Sequence, residues 1–121
     1  MNYEIIKIDK TNYPIFFGFN GLRKYCKKTG TSLNKLMTLG QNMTLEEALQ
    51  LMLVGIEEGC RKANQPFDLT IDDLGDLLDT DTTALTKAME IFGEQMAHNV
   101  EVPKDGKKKT KEKVKFKKLN Q

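Results

Sequence analysis

One segment constrains this chain more than any other, the run from Thr44 to Ala63. Thr44-Leu45-Glu46-Glu47 is a capping box, in which the Thr hydroxyl and the Glu carboxylate each satisfy a backbone N–H left free at a helix start. Leu45, Leu49, Met52, Ile56, Cys60 and Ala63 follow at helical spacing as one apolar stripe. Leu51, Leu53 and Val54 widen that stripe until the middle of the helix is apolar nearly all round. Such a helix is either central in its domain or covered in part by a partner. Pro66 closes the segment, and the other elements must be arranged around it.

Those elements read as a β-hairpin and four further helices. Tyr3–Ile8 is rich in β-branched and aromatic residues, Asp9–Asn12 is a cluster of turn residues, and Tyr13–Phe17 is the return strand. Pro14 cannot donate to a ladder, which places it on an edge or at a strand start. A lone hairpin is not stable, so its Ile and Phe side chains must pack on the helical part of the chain. Asn20 is the expected N-cap of a helix carrying Leu22, Tyr25 and Cys26, with Gly30 at its left-handed C-terminal position. Thr31-Ser32 caps a short helix with Leu33, Leu36 and Met37, closed by Gly40. Thr70-Ile71-Asp72-Asp73 starts an acidic helix with Leu74, Leu77 and Leu78 facing in. Asp81 or Thr82 caps a last helix, where Leu85, Ala88, Met89, Phe92 and Met96 form a stripe with Ile91 beside it. The expected fold is mainly α, with an N-terminal β-hairpin followed by about five helices in one small domain.

Charge divides the chain in two. Met1–Asn99 carries ten Lys/Arg against fourteen Asp/Glu, whereas Val100–Gln121 carries nine against three. Residues 1–99 are therefore expected to form an acidic folded domain, and residues 100–121 a disordered, lysine-rich tail. The tail attracts nucleic acid or acidic protein surfaces in principle. It lacks arginine and has one aromatic, Phe116, so base stacking and bidentate base reading are poorly served. No stretch approaches the ~18 consecutive apolar residues of a membrane helix. The first ten residues show no basic-then-apolar leader, and Cys26 and Cys60 form no CxxC. The expectation is a cytoplasmic protein whose cysteines behave as small apolar residues.

Residues with the chemistry of a catalytic site are sparse. His98, the single histidine, falls in the last turn of its helix with no Ser or Cys placed beside it by the sequence. Asp79 to Glu90 has acidic residues at the first, third and twelfth positions of a calcium loop. Ala84 stands where that loop needs Gly, and the stretch reads better as a helix start. Gly18-Phe19-Asn20-Gly21, followed by Arg23, Lys24, Lys27 and Lys28, invites an anion-binding reading but reads first as a tight turn beside a basic face. No catalytic, cofactor or metal residue is assigned, and the chain is expected not to be an enzyme. Asp68, Asp72, Asp73, Asp76, Asp79 and Asp81 form a dense acidic patch, either a solvated face that stabilises helix N-termini or a docking surface for a basic partner.

Two segments carry a family likeness: Tyr13-Pro14-Ile15-Phe16-Phe17-Gly18-Phe19-Asn20-Gly21-Leu22-Arg23-Lys24-Tyr25 and Ala88-Met89-Glu90-Ile91-Phe92-Gly93-Glu94-Gln95-Met96. With Leu45–Ala63 between them, the order over roughly Tyr3–His98 resembles the tail assembly chaperones of long-tailed bacteriophages and prophages. The resemblance implies binding to the long helical tape measure protein, help in bringing tail tube subunits to it, and absence from the mature virion. It also implies that a longer, frameshifted form can diverge in the tail. No family residue carries over by motif.

The residues expected to meet such a partner are Leu51, Leu53 and Val54 on the widened stripe and Asp72, Asp73 and Asp76 on the acidic patch. Self-association through the same apolar band is compatible with this reading. On it, Leu53→Asp abolishes binding and leaves helical circular dichroism largely intact. The rival is a small nucleic-acid-binding regulator using the Arg23–Lys28 helix and the lysine tail.

Overall fold

The structure, a computed structural model, describes residues 3–38 and 42–99, with side chains as far as residue 97. The lysine-rich segment Val100–Gln121, the side chain of His98, and Gly40 lie outside the described residues. Two strands, β1 (Glu4–Ile8) and β2 (Thr11–Ile15), form an antiparallel hairpin. Among the described residues, five helices follow: α1 (Phe19–Thr29), α2 (Leu33–Met37), α3 (Leu45–Ala63), α4 (Ile71–Thr80) and α5 (Thr83–Asn99).

The hairpin turns on two residues rather than four, because Ile8 pairs with Thr11 and Lys7 with Asn12. Thr11 is β-branched and extends β2, and the tight turn is made by Asp9 at φ 58°. Ile6 and Ile8 point into the core while Ile5 lies 47% exposed on the other face. The Asp9 N–H donates to Asp81 Oδ2 at 3.3 Å, which ties the turn to the junction between α4 and α5.

β2 does not lie on α3 through side chains alone. An added Cβ at Gly59 would sit 2.3 Å from the carbonyl carbon and oxygen of Pro14, and one at Gly55 would sit 2.5 Å from the Phe17 ring. The strand backbone thus descends into a notch that two glycines, four residues apart, leave in the helix. The Phe16 N–H donates to the Gly55 carbonyl at 2.9 Å, continuing the strand's hydrogen bonding onto the helix. Pro14 is buried in this contact, opposite Ile5 in the ladder. From there Phe17 carries on into the core, edge-to-face with Phe92 of α5 at 5.2 Å between ring centroids. Its N–H donates to Gln95 Oε1 at 2.7 Å.

Helix ends follow local chemistry. Thr44 and Glu47 form the capping box at 3.1 and 2.9 Å, and Thr70 and Asp73 form a second one at 3.0 Å in both directions. Ser32 caps α2 by accepting from the Lys35 N–H, and α2 ends at Met37 with Thr38 as its C-cap. Asn64, at φ 56°, ends α3 two residues before Pro66. The cap of α1 is Gly18 and not Asn20, with no side chain bonded to the helix start. Gly18 faces the Phe16 ring, and Gly21 faces Val54 and the Glu58 stem, so these glycines admit close packing.

α3 is the central element. Leu51, Met52, Val54, Ile56 and Cys60 are buried together with Ile8, Ile15, Phe17, Tyr25, Leu74, Ala84 and Ala88 in one core cluster. Leu45, the first residue of the expected stripe, is by contrast 68% exposed.

Candidate functional site

The sequence offered Leu51, Leu53 and Val54 as partner-facing residues, and the structure corrects this. Their exposures are 0%, 6% and 0%, because the hairpin and the flanking helices enclose α3 on every side over these turns. Side chains buried to this degree form no partner surface while the fold is intact. The apolar band around α3 is wide because α3 is central, which was the other reading its pattern allowed.

Accessible apolar surface lies one turn earlier. An open groove of about 740 Å³ runs between the first turns of α3, the length of α4 and the start of α5. Its apolar walls are Leu45, Leu49, Ile71, Leu78 and Leu85, and Glu46, Asp72, Asp76 and Asp79 stand on its rim. Among the described residues, no lysine or arginine lines it. Leu45 is exposed, and the other four are half-buried against the core, with one side of each available.

The acidic residues of the patch separate into two kinds. Asp72 and Asp73 occupy the first turn of α4, where their charge suits the helix dipole, and Asp73 is engaged in the capping box. Asp81 accepts from the Thr83 hydroxyl and the Asp9 N–H, contacts that hold its carboxyl below the usual range. Asp76 and Asp79 have neither excuse. They lie in the middle and last turn of α4, and at Asp79, in a last turn with no basic residue, a carboxylate adds to the negative pole of the helix. Both are exposed on the groove rim. Gly75 lies beside them on α4, and an added Cβ there would meet nothing within 4 Å. Glycine costs a helix about 1 kcal/mol relative to alanine, and no packing demand explains it at this site.

A second polar cluster performs a structural task. Glu58 is 1% exposed in the middle of the α1–α3 contact. Its Oε2 accepts from Lys24 Nζ at 2.5 Å, and its Oε1 accepts from Arg61 Nη2 and Nε at 2.7 and 3.1 Å. Burial pushes the carboxyl pKa up, but the hydrogen bonds from Arg61 and Lys24 outweigh it and hold the group below its ordinary value. Lys24 is also 3.6 Å from Glu57. This takes Lys24 out of the basic face that a nucleic-acid reading would use and leaves Arg23, Lys27 and Lys28 exposed. Lys62, at the end of α3, lies 4.9 Å from the Phe16 ring centroid.

Both cysteines are free. Burial, reinforced by Asp68, pushes the Cys60 thiol up, away from the thiolate that a nucleophile needs. Tyr25 is fully buried, with the Thr31 and Thr29 side chains beside its hydroxyl. Burial and then the Glu47 charge push its pKa up. Ala84, at the sixth position of the calcium-loop pattern, is buried at the foot of α5, and residues 83–90 are helical. Among the described residues, no three His, Cys, Asp or Glu side chains are grouped to hold a metal ion.

The notch glycines Gly55 and Gly59, the buried Glu58 and the groove walls are what sequence reasoning missed. Two glycines four apart inside the strongest helix were a readable signal of close backbone approach. The groove had no such signal, because Leu45 and Leu49 belong to the same periodic stripe as core residues.

The fold is therefore a small mainly helical domain with an N-terminal hairpin docked on its central helix. Among the described residues, no helix is long and apolar enough to cross a membrane. Comparison with protein families, with characterised proteins and with solved structures returns no match.

Proposed function

We propose that the protein is an assembly chaperone of the phage tail type, acting by stoichiometric capture of an apolar helical stripe on the tape measure protein. The observation that carries this reading is the open groove with leucine and isoleucine walls and a rim of four carboxylates. An amphipathic helix presents apolar side chains at i, i+3, i+4 and i+7, and such a stripe fits an elongated apolar groove. The acidic rim selects a stripe flanked by lysine or arginine and repels acidic competitors. Capture masks the stripe from self-association until tail tube subunits take over the same surface. The chaperone works in the host cytoplasm and leaves before the virion is complete.

The test is co-expression with a phage tape measure protein, followed by co-purification and peptide titration. Wild-type protein should keep the tape measure protein soluble and bind one of its helical segments. Leu45→Asp combined with Asp76→Lys, both at exposed positions, should abolish the effect while circular dichroism is unchanged. Equal solubilisation by this variant would refute groove capture.

A further inference from the structure

We infer that the groove between α3, α4 and α5 is also the docking site of this chain's own lysine-rich segment, Lys111–Leu119, which competes there with the partner. The inference rests on the groove reading above and concerns how that groove is regulated.

Three observations lead to it. The first is charge. The rim bears Glu46, Asp72, Asp76 and Asp79 with no lysine or arginine among the described residues of the lining, while residues 100–121 carry nine lysines against three carboxylates. Asp79 lies in the last turn of α4, where the helix dipole disfavours it, so a standing positive partner would offset a local cost.

The second is apolar content. Val114, Phe116 and Leu119 are set among Lys111, Lys113, Lys115, Lys117 and Lys118. A purely solvated charge run has no use for Phe. Leu45, Leu49, Ile71, Leu78 and Leu85 offer such side chains a wall, and lysine stems can lie along it with their ammonium groups at the rim.

The third is reach. α5 starts at the groove, where Leu85 lines it, and its 17 residues carry the chain about 25 Å along the helix axis. Val114 is the fifteenth residue after Asn99, enough chain to span about 50 Å when extended. The segment can therefore return along the whole length of α5 with slack. Tethering at that length corresponds to an effective concentration of about a millimolar, so even a weak contact competes with a partner in trans.

Zero-length carbodiimide cross-linking of the full chain, read by mass spectrometry on a mixture of ¹⁴N and ¹⁵N chains, tests this. Amide links from Lys111–Lys118 should concentrate on Glu46, Asp72, Asp76 and Asp79. Relative to the exposed controls Glu4, Glu90 and Glu94, the expected enrichment is about tenfold, with light-to-light and heavy-to-heavy pairs only, as tethered docking requires. Phe116→Asp should erase the enrichment, and so should Asp76→Lys with Asp79→Lys. Links spread evenly over all carboxylates, or enrichment indifferent to Phe116→Asp, would overturn the inference. Mixed-isotope links would overturn it in favour of a second copy. Enrichment without capture of the tape measure protein would refute the proposed function alone. Capture without enrichment would refute this inference alone.

Discussion

The same substitution, glycine to alanine, should have opposite effects at two helical positions of this protein. At Gly75 the new methyl meets nothing within 4 Å and the backbone is ordinary helix, so the change brings only helix propensity. That stabilises by about 0.5–1 kcal/mol. At Gly59 the same propensity gain is available, but the methyl would lie 2.3 Å from the Pro14 carbonyl and 2.4 Å from the Ile15 nitrogen. Relief would require β2 to lift off α3. β2 is held by its ladder to β1, and its continuation by the 2.9 Å bond from Phe16 to the Gly55 carbonyl. Overpacking costs about 1–3 kcal/mol where side chains can shift, and a backbone obstacle belongs at or beyond the upper end. The net for Gly59→Ala is thus a loss of about 2 kcal/mol or more. Urea unfolding followed by circular dichroism reads both. With a slope of about 2 kcal/mol/M, the Gly59→Ala midpoint should fall by about 1 M and the Gly75→Ala midpoint rise by about 0.3 M. Equal midpoints for the two variants would refute the notch, because the contrast depends on backbone lying against Gly59 and open space beside Gly75.

Three further outcomes are expected. Leu53→Asp should unfold the domain rather than spare it, since it places an unpaired carboxylate at a position 6% exposed, at a cost of about 4 kcal/mol or more. Loss of the helical signal at 25 °C checks this. Glu58→Gln should destabilise by about 2 kcal/mol at neutral pH, because Lys24 and Arg61 lose the charge they share. The native Glu58 pKa lies below the ordinary value, so its contribution is complete above about pH 5 and is lost as pH falls through the depressed native value. The variant's stability should accordingly fall less steeply than wild type below about pH 4.5 in acid titrations of urea midpoints. Asp81→Ala should loosen the hairpin turn, visible as faster hydrogen exchange at the Asp9 amide.

Much of the fold was legible because its signals are local. The box at Thr44–Glu47 concerns three consecutive peptide units and forms as the residues indicate, and α4 starts after Thr70 as expected. The Asp9–Asn12 cluster marked the turn but not its length, since Thr11 serves either a turn or a strand and pairing with Ile8 decides. The partner-facing residues were harder. An all-round apolar helix reads the same whether a partner or the rest of the chain covers it, and only the tertiary arrangement assigned Leu51, Leu53 and Val54 to the core. Asp72 and Asp76 do line the groove, whereas Asp73 caps its own helix. The groove walls were illegible for a related reason. Leu49 and Met52 share one stripe, and nothing local shows that the stripe's first turn projects beyond the bundle.

The contact between β2 and α3 also works as a vernier. Gly55 to Gly59 advances the helix by about 6.0 Å, and Pro14 to Phe16 advances the strand by about 6.6 Å. Four helix residues therefore match two strand residues, and the chain directions oppose, with Pro14 at Gly59 and Phe16 at Gly55. A single residue inserted between either pair would throw the two scales out of step along the whole contact. Residues added in the turn at Asp9-Lys10 would leave them aligned. The length of this protein is thus under tighter geometric control within two short stretches than anywhere in the loops that join them.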